Sequence, residues 1–267
     1  MNYKIGIIGL GNMGEAFYQG LEKIFPTEQL WGYDRSKKKE VSRVCQLAGI
    51  KNSADSVEEL VDQVDVVILA IKPQSLGDLA AELGDACQDK LVISMLAGVL
   101  VNKLQSVLGA DRIIRCMPNL PIKVGKGVTG WIASAKAADD DRKLARQIFS
   151  AFGYQVEVAE EKMLDSITAL SGSGPAYYFY LCQILTAQAR EMGFNQEEAR
   201  AIAENTFQGA AELLGQGNRS SGEWVEAVAS KGGTTEAALN SFAQDKLDEV
   251  VARALTKAKK RSEELNE

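Results

Sequence analysis

Lys4-Ile5-Gly6-Ile7-Ile8-Gly9-Leu10-Gly11-Asn12-Met13-Gly14 is the stretch on which the fold turns. An apolar run of strand length ends in Gly-x-Gly-x-x-Gly, and helix-compatible residues carry on to about Lys23. A glycine-rich turn is common, but one placed between a strand and a helix is the context a dinucleotide-binding loop requires. The glycines permit a tight turn and let a pyrophosphate approach backbone amides at the helix N-terminus. A second strand, Leu30 to Tyr33, ends at Asp34, twenty positions after Gly14, where a carboxylate can accept from a ribose 2′-hydroxyl. Arg35, Ser36 and Lys37 follow at once, and such groups suit a 2′-phosphate. The expected cofactor is therefore NADPH or NADH, leaning to NADPH. The expected contacts are Gly9, Gly11, Asn12, Met13, Gly14, Asp34 and Arg35.

Outward from this unit the pattern repeats. A charged helix is expected from Ser36, and strands fit Val64–Ile71, Lys90–Met95, Arg112–Met117, Gly127–Ile132 and Tyr154–Val158. A helix between the last two begins near Asp139-Asp140-Asp141, acids that suit a helix N-terminus. Apolar strands alternating with helices predict an α/β fold, a doubly wound parallel sheet of Rossmann type. Loops at the carboxyl ends of such strands are natural ligand neighbours. That adds Ala70, Lys72 and Pro73 after one strand, and Ala97 and Gly98 after the next. On spacing alone Lys72 reads equally as a solvated turn residue.

Beyond about residue 163 no strand pattern remains. Two domains are expected: 1–162 for the dinucleotide and 163–267, all helical. Gly174-Pro175 opens a helix that Gly193 closes, Asn195 and Ser220 look like caps, and a last helix runs from about Gln244 towards Lys260. The helix after Pro175 is apolar nearly all round, with Tyr177, Tyr178, Phe179, Tyr180, Leu181, Ile184 and Leu185. So few residues can hardly cover every side of it, and a second copy of the chain is expected to do so, the alternative being a central helix in a monomeric bundle. Lys231-Gly232-Gly233-Thr234-Thr235-Glu236 interrupts the helices and restarts them, which reads as an anion-binding nest or as a plain helix cap. Leu170-Ser171-Gly172-Ser173-Gly174 reads as a second glycine-rich break.

Composition narrows the chemistry. The chain has 267 residues, 46% hydrophobic and 25% charged, with a net charge of -6, and nothing invites nucleic acid or an anionic membrane. The longest near-apolar run, Leu91 to Val101, is too short to span a bilayer, and the first residues run straight into a strand without a signal-peptide layout. Cys45, Cys87, Cys116 and Cys182 are scattered, which argues against a zinc site or a disulfide framework and for a reducing, cytoplasmic setting. No metal is expected. There are no histidines, so serine hydrolases built on Ser-His, zincins and dehydrogenases with a histidine acid are all excluded.

With these motifs in place, the chain resembles the pyrroline-5-carboxylate reductases. The resemblance is carried by the glycine fingerprint, Ala70-Ile71-Lys72-Pro73-Gln74, Ser94–Val99, Arg115–Asn119, Ala169–Tyr177 and Gly232-Gly233-Thr234-Thr235, and it covers essentially the whole chain. It implies a helical domain interlocked with a second subunit, a homodimer with rings of dimers left open, and a cyclic imine carboxylate as substrate. It also implies that Gly232, Gly233, Thr234 and Thr235 hold the substrate carboxylate. Thr235 would be the catalytic hydroxyl near the substrate nitrogen, and Glu161 would lie near the bound amino acid. The chemistry suits a chain without imidazole, because a cyclic imine can bind already protonated and needs only hydride. Lys231, Leu120 and Ala227 depart from the family pattern, which usually has proline, threonine and asparagine there. They keep open a paralogue for another imine, or a cofactor-binding regulator without turnover. The β-hydroxyacid dehydrogenases are a further rival, but Tyr178 and Cys182 stand where their pattern needs lysine and asparagine.

Overall fold

The computed structural model describes residues 3–35 and 52–266. The helix expected from Ser36, with Ser36, Lys37 and Cys45, lies outside them. The opening motif folds as read: β1 (Ile5–Ile8), the glycine turn, then α1 (Asn12–Leu21). There follow β2 (Leu30–Tyr33), β3 (Asn52–Ser53), α2 (Val57–Gln63), β4 (Val66–Leu69), α3 (Leu76–Leu83), β5 (Leu91–Ser94), α4 (Val101–Leu108) and β6 (Arg112–Met117). Then come β7 (Gly127–Ala133), α5 (Asp139–Ser150) and β8 (Gly153–Glu157).

The strands form one sheet in the order β3-β2-β1-β4-β5-β6-β7-β8. Side chains alternate across it. Ile5, Ile7, Val66, Ile68, Leu91 and Ile93 join Phe17, Tyr18, Trp131, Phe149 and Phe152 on one face. Ile8, Val67, Leu69 and Val92 join Leu60, Leu79 and Leu104 on the other. Both faces are therefore covered, which is why the strands read as continuous apolar runs.

The expectation of a parallel sheet needs one correction. β7 pairs antiparallel with β6, and β8 then pairs parallel with β7. The reason is the connection. Only residues 118–126 link β6 to β7, held in a 3-10 turn over Leu120–Val124 that Gly125 closes at φ +68. A parallel return needs a crossover of a dozen or more residues, usually helical. β7 and β8 have such a crossover in α5, and they run parallel. The two-residue strand β3 has no apolar pattern and was not expected.

α5 is tied to β6 by a buried charge. Asp141 is 1% exposed. It takes two hydrogen bonds from Arg112, at Nε and Nη2, and one from the Ala138 amide. Burial pushes its carboxyl up, but the Arg112 hydrogen bond, the amide and the guanidinium charge outweigh that and hold it below the usual aspartate value.

The helical half comprises α6 (Met163–Ile167), a π-helical turn (Thr168–Gly172), α7 (Gly174–Glu191), α8 (Gln196–Gly215), α9 (Ser221–Val228), α10 (Thr234–Gln244) and α11 (Leu247–Glu264). Leu170–Gly174 is thus no break, because the Ser173 amide donates to the Thr168 carbonyl and helix runs on with one residue extra per turn. Asn195 and Ser220 form capping boxes with Glu198 and Glu223, as their spacing predicts. The chain divides into two compact units, 1–173 with 258–267, and 174–257. The change from strands to helices thus precedes the unit boundary, and α6, the π turn and the last turns of α11 belong with the sheet. In the helical unit almost nothing large is buried: Tyr178, Phe179 and Tyr180 of α7 are each about two-thirds exposed. Among the described residues no helix is long and apolar enough to cross a membrane.

Arg112→Ala should cost about 2 kcal/mol, since it strands a buried carboxylate beside a half-open surface. In the wild type the pair's contribution is complete above the ordinary aspartate value of about 3.9 and is lost as the pH falls through the lower folded-state value. Thermal midpoints measured from neutral pH downward should show that acid loss in the wild type and a flatter profile in the variant.

Candidate active site

The three glycines of the turn serve three different needs. Gly9 has φ +96, and a Cβ there would lie 2.7 Å from the Ala70 carbonyl oxygen, so it closes the turn against the end of β4. A Cβ on Gly14 would sit 1.8 Å from the Gly9 carbonyl oxygen, so Gly14 seats α1 on the turn. Gly11 differs: a Cβ there would meet nothing within 4 Å. It is the N-cap of α1, and among the described residues no side chain caps that helix start. Open space before uncapped amides at a helix N-terminus is what a pyrophosphate needs, and these residues fit a dinucleotide.

A hollow of about 390 Å³ adjoins this turn, walled by Gly9, Gly11, Asp34, Arg35, Ala70 and Lys72 among others. Asp34 is nearly buried, and its Oδ2 accepts a hydrogen bond from the Leu10 amide at 2.7 Å. The carboxylate therefore braces the turn as well as walling the hollow. Arg35 is ion-paired to Asp78 at 3.1 Å and to Glu82 at 2.9 Å, both from α3. Pro73 is the first residue of a 3-10 turn that leads into α3 and does not wall the hollow, so its part is to place Lys72.

A second hollow, about 320 Å³, shares Ala70 and Ile71 with the first and is lined by Met13, Met95, Ala97, Met117 and Leu120. It is largely apolar, as a nicotinamide site should be. Gly98 does not line it. Its φ is +74, and a Cβ would lie 2.3 Å from the Leu265 carbonyl oxygen, so it shapes the loop that carries Ala97. Asn12 is the exposed first residue of α1.

Asn119, which lines this hollow, and Arg115 on β6 were not anticipated as site residues. Asn119, nearly buried, donates from Nδ2 to the Ser171 carbonyl and hydroxyl and accepts from the Val128 amide, tying the β6–β7 turn to the π turn. Arg115 is 5% exposed, and its guanidinium pairs with Glu161 at 2.8 Å. An arginine among the apolar residues Ile113, Ile114 and Cys116 was the available signal. Glu161 Oε1 also accepts from the Val101 amide at the start of α4. One carboxylate oxygen of Glu161 is thus committed to structure. Cys87 and Cys116 are no nucleophiles, because burial pushes both thiols up, that of Cys87 to about 11.

In the helical unit the Gly-Gly-Thr-Thr turn starts α10, with Gly233 as its N-cap and Gly232 at φ +72. The Gly232 amide donates to Glu236 and the Gly233 amide to the Ser230 carbonyl. Both glycine amides are used within the turn. The groups that remain to meet an anion are the first-turn amides and hydroxyls of Thr234 and Thr235, at the positive end of the helix. Lys231, directly before the turn, and Ala227 on α9 are exposed.

A mostly parallel sheet with an uncapped glycine turn at its carboxyl edge, followed by a helical unit, defines a nicotinamide-dependent oxidoreductase. Known proteins narrow that class. The family model described as pyrroline-5-carboxylate reductase dimerisation matches residues 161–265, and that described as NADP oxidoreductase, coenzyme F420-dependent, matches residues 4–98. The chain is 33% identical to the pyrroline-5-carboxylate reductase of Pseudomonas aeruginosa over 267 residues, 99% of this chain and 97% of that one. A solved pyrroline-5-carboxylate reductase from Coxiella burnetii superposes with a TM-score of 0.92 at 32% identity, covering 100% of both chains. The Plasmodium falciparum pyrroline carboxylate reductase with NADP bound gives 0.85 at 28%, covering 100% of this chain and 99% of that one. The chain belongs to the pyrroline-5-carboxylate reductase family.

The two glycines make opposite predictions. Gly11→Val should fold with a thermal midpoint lowered only slightly, by the poorer N-cap, and lose NADPH binding, since its Cβ enters open space. Gly14→Ala should lower the midpoint far more, because its methyl collides with backbone. Titration of cofactor fluorescence beside a melting curve separates the two, and normal NADPH affinity in Gly11→Val would mean that the turn is misassigned.

Proposed function

We propose that this chain reduces pyrroline-5-carboxylate to proline with NADPH or NADH. The observation that carries this reading is the start of α10, where Thr234 and Thr235 present amides and hydroxyls at a helix N-terminus in a chain without a single histidine. The substrate is an anion at one end and a protonated imine at the other. The dinucleotide, when bound, supplies hydride to the imine carbon. The Gly9–Gly14 turn receives its phosphates, and the apolar walls formed by Met13, Met95 and Met117 exclude water from the nicotinamide end. Thr234 and the helix dipole hold the substrate carboxylate. Thr235 orients the ring nitrogen by accepting from its N–H, and no strong acid is needed. Gly232 and Gly233 shape this turn, and Glu161 reaches substrate only through the oxygen that Arg115 and Val101 leave over.

The exposed aromatic face of α7 supports a homodimer in which each helical unit covers the other's apolar surface. Assembly into rings of dimers would be read directly from the mass in solution. A reducing, cytoplasmic setting accords with the thiols of Cys87 and Cys116 sunk in the apolar core. A second reading, reduction of a different cyclic imine, rests on Leu120, which adds apolar wall to the second hollow.

Steady-state oxidation of NADPH and NADH should be fast with pyrroline-5-carboxylate and slow with pyrroline-2-carboxylate. The reverse order would favour the second reading, and cofactor binding without turnover on either imine would mean a regulator. Thr235→Ala should lower kcat by roughly 10²-fold, as loss of an oriented contact does, while the Kd for cofactor stays within twofold. Undiminished kcat would remove Thr235 from its role.

A further inference from the structure

Arg35 stands at the adenosine end of the first hollow, where a cofactor carries either a 2′-hydroxyl or a 2′-phosphate. Its guanidinium is matched by two carboxylates, Asp78 at 3.1 Å and Glu82 at 2.9 Å, which face it from successive turns of α3. Glu82 itself lines the hollow. Its side chain is 32% exposed against 71% for Asp78, so its charge is the less screened of the two. Tyr33, in the same wall, reports the local field: burial first, and the Glu82 charge second, push its phenol above the usual tyrosine value. Asp34 adds a further negative charge to the same hollow.

We infer that Glu82, with Asp78 in support, is a cofactor-selectivity element: it neutralises Arg35 and repels a 2′-phosphate, and so holds down the preference for NADPH over NADH. This rests on the reading of the hollow as the adenosine end of the dinucleotide site. A neutral 2′-hydroxyl pays little for a carboxylate nearby, whereas a dianionic phosphate must approach Arg35 through two like charges. The acids are a property of α3 and are independent of the glycine turn. They can therefore bias the choice of cofactor without touching the pyrophosphate or the nicotinamide.

The test is direct binding of NADPH and NADH, by protein-to-nicotinamide fluorescence transfer at low ionic strength, to the full-length wild type, Glu82→Gln, Asp78→Asn and the double variant. Glu226→Gln, on α9, controls for net charge. Glu82→Gln should tighten NADPH by roughly five- to tenfold and leave NADH within twofold, with Asp78→Asn giving less, as expected for loss of a partly screened like charge. The gain should shrink as salt is raised. If NADPH instead weakens, the acids serve to preorganise Arg35 for the phosphate, and the inference is overturned. It is equally overturned if the ratio of the two affinities stays unchanged, or moves as much in Glu226→Gln. Should the wild type bind neither dinucleotide, the reading of the hollow itself falls, and the inference with it.

Discussion

The helical unit cannot bury the helix around which it is built. Seven large apolar side chains between Tyr177 and Leu185 on α7 are 39% to 65% exposed, and the buried residues of the unit are small ones such as Ala189, Ala199 and Ala203. Covering that face is worth on the order of 10 kcal/mol at the usual coefficient for apolar area. That is comparable with the whole stability of a domain. Residues 161–265, which include this helix, match a dimerisation family model. The start of α10, with Thr234 and Thr235, belongs to this same unit. For a unit that needs a partner to bury its core, stability is a function of protomer concentration.

The sheet unit solves a different problem, which is to bring polyanionic ligand and backbone together. It does so with few charged side chains. Gly9 and Gly14 bring the turn close to β4 and α1, Gly11 keeps one direction open, and Asp34 holds the Leu10 amide from below. Asp34, at the end of β2, is thereby tied to the backbone of the glycine turn. In the Arg115–Glu161 pair one carboxylate ties β6 to the start of α4.

Much of this was legible in the amino-acid order because it follows from periodicity and from turn chemistry. Strands buried on both faces announce themselves as apolar runs, and Asn195 and Ser220 as caps by the acid three positions on. What escaped depends on length or on partners. The reversal of β7 is decided by a connection too short for a crossover, which no residue type marks. The π turn over Thr168–Gly172 looks like a glycine break because one extra residue per turn leaves the composition unchanged. The glycine amides at 232 and 233 looked available for an anion, yet Glu236 and Ser230 lie within reach inside the same turn and take them. The Arg115 partner that occupies one oxygen of Glu161 lies 46 residues earlier, where no local pattern marks it.

The return of α11 carries a last consequence. Residues 258–267 cluster with the sheet, not with the helices that precede them. Ser262 and Asn266 hydrogen-bond the nearly buried carboxylate of Asp165, Asn266 also receives a bond from Arg115, and the Leu265 carbonyl lies against Gly98. During synthesis most of the sheet leaves the ribosome long before that segment does. Until it arrives, Asp165 lacks these partners and the Gly98 loop lacks its backing. The nucleotide-binding unit, although first to be made, is therefore completed only when residues 258–266 have been translated, and the order of manufacture is not the order of assembly.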